Sequence, residues 1–404
     1  MRHRIVVLGA GYAGAYVAGN LARRLSRTDV KITVVNAVPD FVQRMRLHQL
    51  AAGRDLQAPT LVGVFAGTGI ELRLARVTAI DPERRIVTMA DADSVAGGGG
   101  ELGYDTLVYA LGSRGDDGSV PGAAEHAFDV AARPSALRLR ERLDSLDRRG
   151  GGGNVVVVGD GLTGIESATE IAEARPGLSV TLVARHELGA RLSAGARRYL
   201  RRACDRLGVT VVEHTSVEAV EATRVRFADG TTLPSDATVW TAGFALSPIA
   251  AAGGLQVTGK GQIVVDRTMR SVSHPDVYAI GDSVHAIGDN GRPLPMSCAS
   301  AGYTGRQAIE AIVGRLTGRR IAHTKLVHTY NHISLGRRNA ILQTVDDQGQ
   351  AKPKYQGGRQ PSRVQAAIHR TALWATMHPT YGLPKRRHRL ATAPPYTTAE
   401  KSHA

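Results

Sequence analysis

Residues 4–17 read RIVVLGAGYAGAYV and decide the fold of this chain. The apolar residues 5–8 predict a buried parallel strand, and apolar residues at helical spacing continue through Val17, Leu21 and Leu25. A strand, a glycine turn and a helix in this order are typical of a dinucleotide-binding fingerprint. Its predicted contacts with the nucleotide are Gly9, Gly11, Tyr12, Ala13 and Gly14.

The three glycines serve different physical purposes. Gly9 allows the tight turn, Gly11 lets the backbone approach a pyrophosphate, and Gly14 lets the helix pack closely on the strand. The pyrophosphate is expected at the helix N-terminus, where the helix dipole is positive. A second strand at 30–35 ends at Asn36, a candidate partner for the adenosine ribose, although an amide binds a hydroxyl more weakly than a carboxylate does.

The opening pattern returns about 150 residues later, as NVVVVGDGLTGIE at residues 154–166. A strand at 180–183 again follows the predicted helix. An internal repeat of two dinucleotide-binding units is far more specific than one glycine turn. The predicted contacts of the second unit are Gly159, Gly161, Leu162, Thr163 and Gly164.

Three further predicted strands end in small residues: YDTLVYALGS at 104–113, ATVWTAGF at 237–244 and DVYAIGDS at 276–283. The first two resemble each other and are expected to close one nucleotide domain each. Their candidate cofactor contacts are Ala110, Gly112, Ala242 and Gly243, and the third strand adds Gly281. Elsewhere the pattern predicts a strand pair at 70–89, helices at 134–149, 297–316 and 362–377, and strands at 329–333 and 339–345.

Composition narrows the class of protein. The 404 residues suggest two or three domains, and neither a signal peptide nor a transmembrane run is recognisable. The two cysteines, Cys204 and Cys298, are too few for a disulfide framework and lack metal-site spacing, which favours a cytoplasmic protein without a metal. The net charge of +15 rests mostly on arginine, and no basic patch is interleaved with aromatic residues, so nucleic-acid binding is not favoured.

Four signatures occur in one order: GAGYAG, YDTLVYALGS, GDGLTGIE and VYAIGD. Over residues 3–320, the chain resembles the pyridine-nucleotide-disulfide reductase-like flavoproteins, and within them the type II NADH dehydrogenase-like branch. The resemblance implies that the first fingerprint holds FAD and that the second holds NADH or NADPH. It also implies an oxidoreductase that passes electrons from the flavin to a second acceptor.

The same resemblance implies roles for single residues. Asp282 of the Gly-Asp pair is expected to bind a ribityl hydroxyl of FAD, and the helix that starts near Cys298 and Ala299 is expected to point at the flavin ring. Glu166 is expected near the nicotinamide, where it would position the cofactor or aid proton movement. The alternative for Glu166 is an acid favoured by the helix dipole, and for Cys298 it is packing.

The sequence also departs from the family. A CxxC or CxxxxC pair is absent, which argues against disulfide chemistry within this chain. Type II dehydrogenases carry two glutamines beside the quinone, and the matching residues here are Ser297 and Ala301. Arg44, Arg46 and His48 alternate in a segment beside the expected flavin, and Arg46 and His48 would suit an anionic or phenolic acceptor. A solvated basic face is the alternative.

The nicotinamide cofactor is predicted from the end of the strand at 180–183. An NADH site would be expected to place an acid near this strand end, but Arg185 and His186 follow it, and Arg191 comes five residues after His186. This spacing resembles the NADPH-binding stretch of glutathione reductases. Because a guanidinium can bind a phosphate through two parallel hydrogen bonds, NADPH is favoured over NADH.

The predicted fold is α/β, with an NAD(P) domain at 121–244 inserted in an FAD domain at 1–120 and 245–320. A strand and helix segment at 321–380 and a disordered tail at 381–404 complete it. The predicted function is NAD(P)H oxidation coupled to a quinone or another small acceptor; a ferredoxin-like redox protein as acceptor and a flavin sensor with little turnover are the alternatives. A homodimer is compatible with the sequence. The helix at 362–377 either docks on the protein itself or contacts the inner face of a membrane.

Overall fold

The computed structural model describes residues 1–92, 97–116, 120–148, 152–382 and 387–391. Two 3₁₀ turns lie at Arg44–Arg46 and Gly281–Ser283. The helices are α1 (Tyr12–Arg24), α2 (Leu47–Ala51), α3 (Leu61–Phe65), α4 (Ala123–His126), α5 (Arg133–Arg148), α6 (Leu162–Ala174), α7 (Ala194–Arg206), α8 (Ile249–Ala252), α9 (Cys298–Thr317) and α10 (Arg359–Met377).

In the described part of the chain, 22 strands pair into six sheets, and the residue range of each strand follows. They are β1 (His3–Leu8), β2 (Val30–Asn36), β3 (Ile70–Asp81), β4 (Ile86–Asp91), β5 (Gly100–Gly103), β6 (Thr106–Tyr109), β7 (Ser113–Gly115), β8 (Ala127–Phe128), β9 (Asn154–Val158), β10 (Ser179–Val183), β11 (Thr210–Val212), β12 (Val217–Val220), β13 (Arg224–Phe227), β14 (Thr232–Pro234), β15 (Ala237–Trp240), β16 (Phe244–Leu246), β17 (Ile263–Val264), β18 (Val277–Ala279), β19 (Val284–His285), β20 (Tyr330–Ser334), β21 (Ala340–Val345) and β22 (Ala351–Gly358).

The first large sheet has the order β18-β6-β1-β2-β3-β4-β5. Its first five strands run parallel, with Ile5 beside Ile32 on one side and beside Thr106 on the other. The central strands are buried along their whole apolar length, as expected for a parallel sheet that is covered on both faces. Helices α1 and α9 pack against each other beside this sheet.

The second large sheet has the order β11-β10-β9-β15-β8, and all its strands are parallel. It starts from the second glycine motif, and β9 and β10 pair in register from Asn154 and Ser179 onwards. The predicted repeat of two nucleotide-binding units in an α/β fold is therefore confirmed. A small antiparallel sheet, β12-β13-β14, lies between β11 and β15 in the chain.

A narrow two-stranded ribbon lies where the chain passes between the two large sheets. Strands β7 and β16 pair antiparallel, with Ser113 opposite Leu246, where the chain leaves the first sheet and where it returns. Because β18 then rejoins the first sheet beside β6, that sheet draws on both ends of the chain. We propose that the domain boundaries lie at this ribbon, close to residues 120 and 245.

The C-terminal segment contains one strand more than the sequence pattern indicated. Strand β22 pairs with β21 at the edge of a three-stranded antiparallel sheet, although AKPKYQGG holds a proline, two glycines and two lysines. Such residues are typical of an edge strand, where one side of the backbone is unpaired. Helix α10 begins at Arg359, before the predicted start at residue 362, because Pro361 is tolerated in a first turn.

Part of the predicted disordered tail is held by backbone hydrogen bonds. The backbone nitrogen of His388 donates to the oxygen of Arg24, and the backbone nitrogen of Ala391 donates to the oxygen of Leu316. These bonds place residues 387–391 against the ends of α1 and α9, and disorder of the tail stays a prediction. The glycine-rich runs at 96–100 and 150–153 predict a hairpin loop and a flexible joint, of which residue 96 and residues 150–151 lie outside the described residues. Residue 149 of the predicted helix and the rest of the predicted tail beyond 382 also lie outside them. No helix in the described part of the chain has the length and apolar composition needed to cross a bilayer.

Candidate nucleotide and redox site

The first glycine turn has the shape that a pyrophosphate needs. Gly9 has φ +95°, and a Cβ there would lie 2.5 Å from the oxygen of Ala110. A Cβ on Gly14 would lie 1.9 Å from the oxygen of Gly9, whereas a Cβ on Gly11 would meet nothing within 4 Å. Helix α1 starts directly after Gly11 without a side-chain cap or an acid in its first turn. Its N-terminal amides are therefore available to an anion in the open space above Gly11.

The other predicted residues of this turn are in supporting positions. Asn36 accepts a hydrogen bond from the nitrogen of Ala10 at 2.9 Å and donates one to the oxygen of Val38 at 2.8 Å. Its amide therefore holds the glycine turn in place, and the second lone pair of Oδ1 and the second N–H of Nδ2 are left for a ribose hydroxyl. Tyr12 packs edge-on against Phe41 with 4.8 Å between ring centroids, and burial raises the pKa of its phenol.

A hydrogen-bond network joins Asp282 to two other segments. Ser113 donates from Oγ to Oδ2 of Asp282 at 2.7 Å, and Arg44 donates from Nη2 to Ser113 Oγ at 2.8 Å. The guanidinium of Arg44 also lies 5.6 Å from the ring centroid of Phe244. Burial lowers the pKa of Arg44, while Asp282 favours its charged form. Ser113 was not among the predicted site residues, although it ends the YDTLVYALGS signature.

Asp282 lies where a sugar hydroxyl could reach it. Gly112 and Gly281, at the ends of the two neighbouring strands β6 and β18, have φ +68° and +74°. A Cβ on Gly281 would touch Ala13 of α1 at 3.6 Å, so Asp282 follows a residue that borders the first glycine turn. The carboxyl ends of neighbouring parallel strands are the usual ligand-binding edge of such a sheet. The residues present thus fit FAD, with the pyrophosphate at Gly11 and the ribityl chain at Asp282.

Replacing Asp282 with alanine is expected to weaken FAD binding by roughly 10- to 150-fold, because hydrogen bonds to charged groups contribute about 1.5–3 kcal/mol. The dissociation constant can be measured by adding FAD back to stripped protein and following flavin fluorescence. The exposed acid Asp205, replaced by alanine, is the matched control. Equal affinity of Asp282→Ala and Asp205→Ala for FAD would contradict the assignment.

Helix α9 starts beside the same strand edge. Ser297 caps it by accepting from the nitrogen of Ser300, and the nitrogen of Gly281 donates to Oγ1 of Thr304 at 3.1 Å. Cys298 is exposed, which argues against the packing alternative, and Ala299 is half-buried. The pKa of Cys298 is nevertheless raised, first by the surrounding protein and also by Glu166 and Asp282. An exposed thiol surrounded by protein atoms is expected on the wall of an open cleft.

The second glycine turn repeats the geometry of the first. A Cβ on Gly159 would lie 2.6 Å from Oγ1 of Thr241, and one on Gly164 would lie 1.9 Å from the oxygen of Gly159. A Cβ on Gly161 would again meet nothing within 4 Å. Helix α6 begins at Leu162 and Thr163 with no side-chain cap. Ala242 and Gly243 follow β15, the neighbour of β9 in this sheet.

The predicted NADPH residues lie after β10. Arg185 and Arg191 are exposed, and neither has a hydrogen bond or an ion pair within the described ranges. His186 is held by Asp160, whose Oδ2 accepts from the backbone nitrogen at 3.3 Å and lies 3.5 Å from Nδ1. Glu187, the first acid after the strand, forms ion pairs with Arg197 and Arg201 of α7.

Glu166 is the fifth residue of α6 and is bound by the C-terminal segment. Its Oε1 accepts from the nitrogen of Ser334 at 2.9 Å, from Oγ of Ser334 at 3.0 Å and from Nε2 of Gln365 at 3.0 Å. Sequence reasoning missed Ser334 and Gln365, because they lie 168 and 199 residues from Glu166. The helix-dipole explanation is weakened, since Glu166 lies beyond the first turn of α6.

Arg46 and His48 do not form the solvated basic face that was the alternative for them, because His48 is buried. Arg46 ends a 3₁₀ turn and His48 lies in the short helix α2, which packs against α6. Arg46 donates to the side-chain oxygens of Gln49 at 2.9 Å and Gln43 at 3.2 Å. His48 is buried, and its Nε2 has no hydrogen-bond partner in the described structure.

Comparison with known proteins finds related chains over most of the sequence. The family described as pyridine nucleotide-disulphide oxidoreductase matches residues 3–305. An NADH dehydrogenase-like protein of Mycobacterium tuberculosis is 30% identical over 364 residues, which cover 84% of this chain and 87% of that protein. A demethylphylloquinone reductase of Synechocystis is 26% identical over 353 residues, covering 84% of this chain and 86% of the reductase.

A solved structure extends the similarity to the whole chain. The sulfide:quinone oxidoreductase of Aquifex aeolicus superposes with a TM-score of 0.76 and covers 100% of both chains. Its sequence identity is 18%, so this likeness concerns the fold.

Proposed function

The chain belongs to the pyridine nucleotide-disulphide oxidoreductase family, and from this premise we propose that it transfers electrons from NADPH to a small quinone-like acceptor. At the coarser level, the chain is an FAD-dependent NAD(P)H oxidoreductase. When bound, FAD accepts the hydride of NAD(P)H and gives two electrons to the acceptor. The overall reaction takes one proton from solvent: NAD(P)H, H⁺ and a quinone give NAD(P)⁺ and the quinol.

One observation carries the proposal: Cys298, at the start of α9, lies within electrostatic range of an acid from each nucleotide unit. Asp282, which follows β18 beside the first glycine turn, and Glu166, in the helix of the second, both influence the pKa of this thiol. Hydride transfer requires the nicotinamide and the flavin to be in contact, so the two glycine turns must serve one cleft. An exposed residue influenced by both sites is expected at that cleft.

In this scheme, the residues of the chain bind and orient the two cofactors. The amides at the start of α1 would hold the FAD pyrophosphate, and Asp282 would hold the ribityl chain. Helix α9, linked to Gly281 through Thr304, brings the positive end of its dipole to this strand edge, where it would stabilise negative charge. Glu166, fixed by Ser334, would position the nicotinamide or hold a proton next to it.

An anaerobic stopped-flow experiment tests the function. Mixing the FAD-loaded protein with NADPH should bleach the flavin absorbance. A quinone added next should restore the absorbance at a rate comparable to that of the reduction by NADPH. Faster reoxidation by a ferredoxin than by any quinone would favour the redox-protein alternative. Slow reoxidation by every acceptor would favour the sensor.

We also propose that α10 contacts an anionic membrane surface. The helix contacts the protein through Gln365, Leu373 and Thr376. Its outer face nevertheless exposes four apolar side chains among arginines 359, 363 and 370: Val364, Ile368, Trp374 and Met377. Exposed apolar side chains together with cations are typical of a helix that lies in the lipid interface.

The double substitution Ile368→Glu with Trp374→Glu is expected to weaken membrane binding roughly tenfold or more, because it places two charges among these exposed apolar side chains. Flotation with vesicles of phosphatidylglycerol and phosphatidylcholine measures the bound fraction. Val62→Glu changes an exposed apolar residue of α3, outside α10, and serves as the control. If the unmodified protein stays unbound at every phosphatidylglycerol content, the membrane contact is wrong.

A further inference from the structure

Arg46 is a half-buried cation without a counter-ion. Its two hydrogen-bond acceptors, Gln43 and Gln49, are neutral amides, and no carboxylate in the described part of the chain lies within ion-pair distance of its guanidinium. Burial lowers the pKa of Arg46, and the nearby Arg54 lowers it further. A partly desolvated charge that lacks an opposite charge is costly, so a negative ligand would be stabilised there.

Arg46 and two further histidines lie within electrostatic range of His369 in α10, which packs against β20. His48 is 5% exposed and its Nε2 is unpartnered, and Nδ1 of His332 is likewise buried without a partner, while Nε2 of His332 lies 2.9 Å from the oxygen of Pro361. The pKa of His369 is lowered to about 4, first by burial and then by its cationic neighbours, which are His48, Arg46, His332 and Arg54. We call Arg46, His48, His332 and His369 the cationic cluster.

The nearby carboxylates bind partners other than Arg46 through their Oε1 atoms, while Oε2 of Glu170 is buried without a hydrogen-bond partner in the described part of the chain. Oε1 of Glu166 is bound by Ser334 and Gln365, and Oε1 of the fully buried Glu170 lies 3.1 Å from Nε of Arg337. Glu170 is close enough to Arg46 to favour its charged form, but it forms no ion pair with it. The unpartnered ring nitrogens and the unpaired guanidinium therefore form a site suited to an acceptor group from outside the chain.

The cationic cluster borders the redox cleft. Tyr12 of the first glycine motif lies within electrostatic range of both Arg46 and Cys298. Burial lowers the pKa of His332, and Glu166 is close enough to oppose this shift. The residues of the cluster come from the 3₁₀ turn before α2, from α2 itself, and from β20 and α10 of the C-terminal segment. These elements together would form one side of the cleft.

We propose that the cationic cluster binds an anionic group of the electron acceptor, so that the preferred acceptor is a quinone carrying a sulfonate, a carboxylate or an acidic ring hydroxyl. The inference rests on the proposed function and names the substrate class of the same cleft. Arg46 supplies the fixed positive charge, and the ring nitrogens of His48 and His332 supply hydrogen bonds. The charged group thereby orients the quinone ring in the cleft.

The test compares two acceptors that differ in charge: 1,4-naphthoquinone-2-sulfonate and neutral 2-methyl-1,4-naphthoquinone. Arg46→Gln is expected to raise KM for the sulfonate roughly tenfold or more while leaving KM for the neutral quinone within about twofold. His48→Asn should shift KM in the same direction. The exposed Arg202 of α7, replaced by glutamine, is the matched control. FAD content and thermal melting show whether each variant is folded.

A binding measurement without turnover complements the kinetics. Redox-inert 2-naphthalenesulfonate should perturb the flavin spectrum of the oxidised enzyme, and Arg46→Gln should weaken this perturbation. Because buried charges are screened little, KM for the sulfonate should change little with salt. If the net surface charge attracted the sulfonate instead, KM would rise as salt is added. Equal changes for both quinones, or an effect of Arg202→Gln as large as that of Arg46→Gln, would overturn the inference. Failure of both quinones with every variant would instead overturn the proposed function.

Discussion

Replacing Gly11 with alanine is expected to give a folded but colourless protein. The new Cβ would meet no atom of the chain within 4 Å, and the backbone angles of Gly11 suit alanine, so the apo fold should be unaffected. The methyl group would instead occupy the space that the pyrophosphate needs. Losing two charge-assisted hydrogen bonds at the helix N-terminus corresponds to roughly a 100-fold or greater loss of FAD affinity. Flavin content after purification measures it.

Two other glycines are controls for this result. Gly14→Ala would place a Cβ 1.9 Å from the oxygen of Gly9, so we expect it to destabilise the apo protein as well as to prevent FAD binding. Gly161→Ala should leave the protein yellow but abolish its reduction by NADPH. Thermal melting is compared on FAD-stripped samples, because bound FAD itself stabilises the fold. A yellow Gly11→Ala protein beside a colourless Gly161→Ala protein would exchange the two assignments.

The parts of the fold that sequence reasoning reached are those with local signals. The strand at 5–8 and the glycine turn after it could be predicted because the residues that determine strand burial, turn geometry and helix start all lie within about fifteen positions. The second copy at 154–166 confirmed the pattern by repetition. Helix α5, at Arg133–Arg148, was likewise placed within one residue by its periodicity.

The rest of the candidate site depends on contacts between distant segments. No local pattern reveals that Glu166 is bound by Ser334, or that Ser113 links Arg44 to Asp282. Strand β22 was missed because edge strands tolerate lysine and proline, which are rare in central strands. The cationic cluster is a similar case: Arg46 and His48 were visible in the sequence, but His332 and His369 join them only after folding.

The preference for NADPH is argued from the acid that is missing at the end of β10. Glu187 does not directly follow β10, and its carboxylate is not available to the ribose because Arg197 and Arg201 of α7 bind it. No other described residue between Ala184 and Arg191 is acidic. An adenosine ribose in this site would therefore lack the carboxylate that accepts both hydroxyls in NADH-specific sites. Arg185 and Arg191, exposed and without ion pairs in the described structure, are available to a 2′-phosphate.

Arg185→Ala is expected to raise the dissociation constant for NADPH roughly tenfold and to leave that for NADH nearly unchanged, because only NADPH carries the phosphate that a guanidinium binds with two hydrogen bonds. Flavin-reduction rates at a series of cofactor concentrations give both constants, with Arg202→Ala of α7 as the control. Since Arg185 is exposed, the difference between the cofactors should also shrink as salt is added. A better rate with NADH in the unmodified protein, or an equal loss for both cofactors in the variant, would show that Arg185 does not select the phosphate.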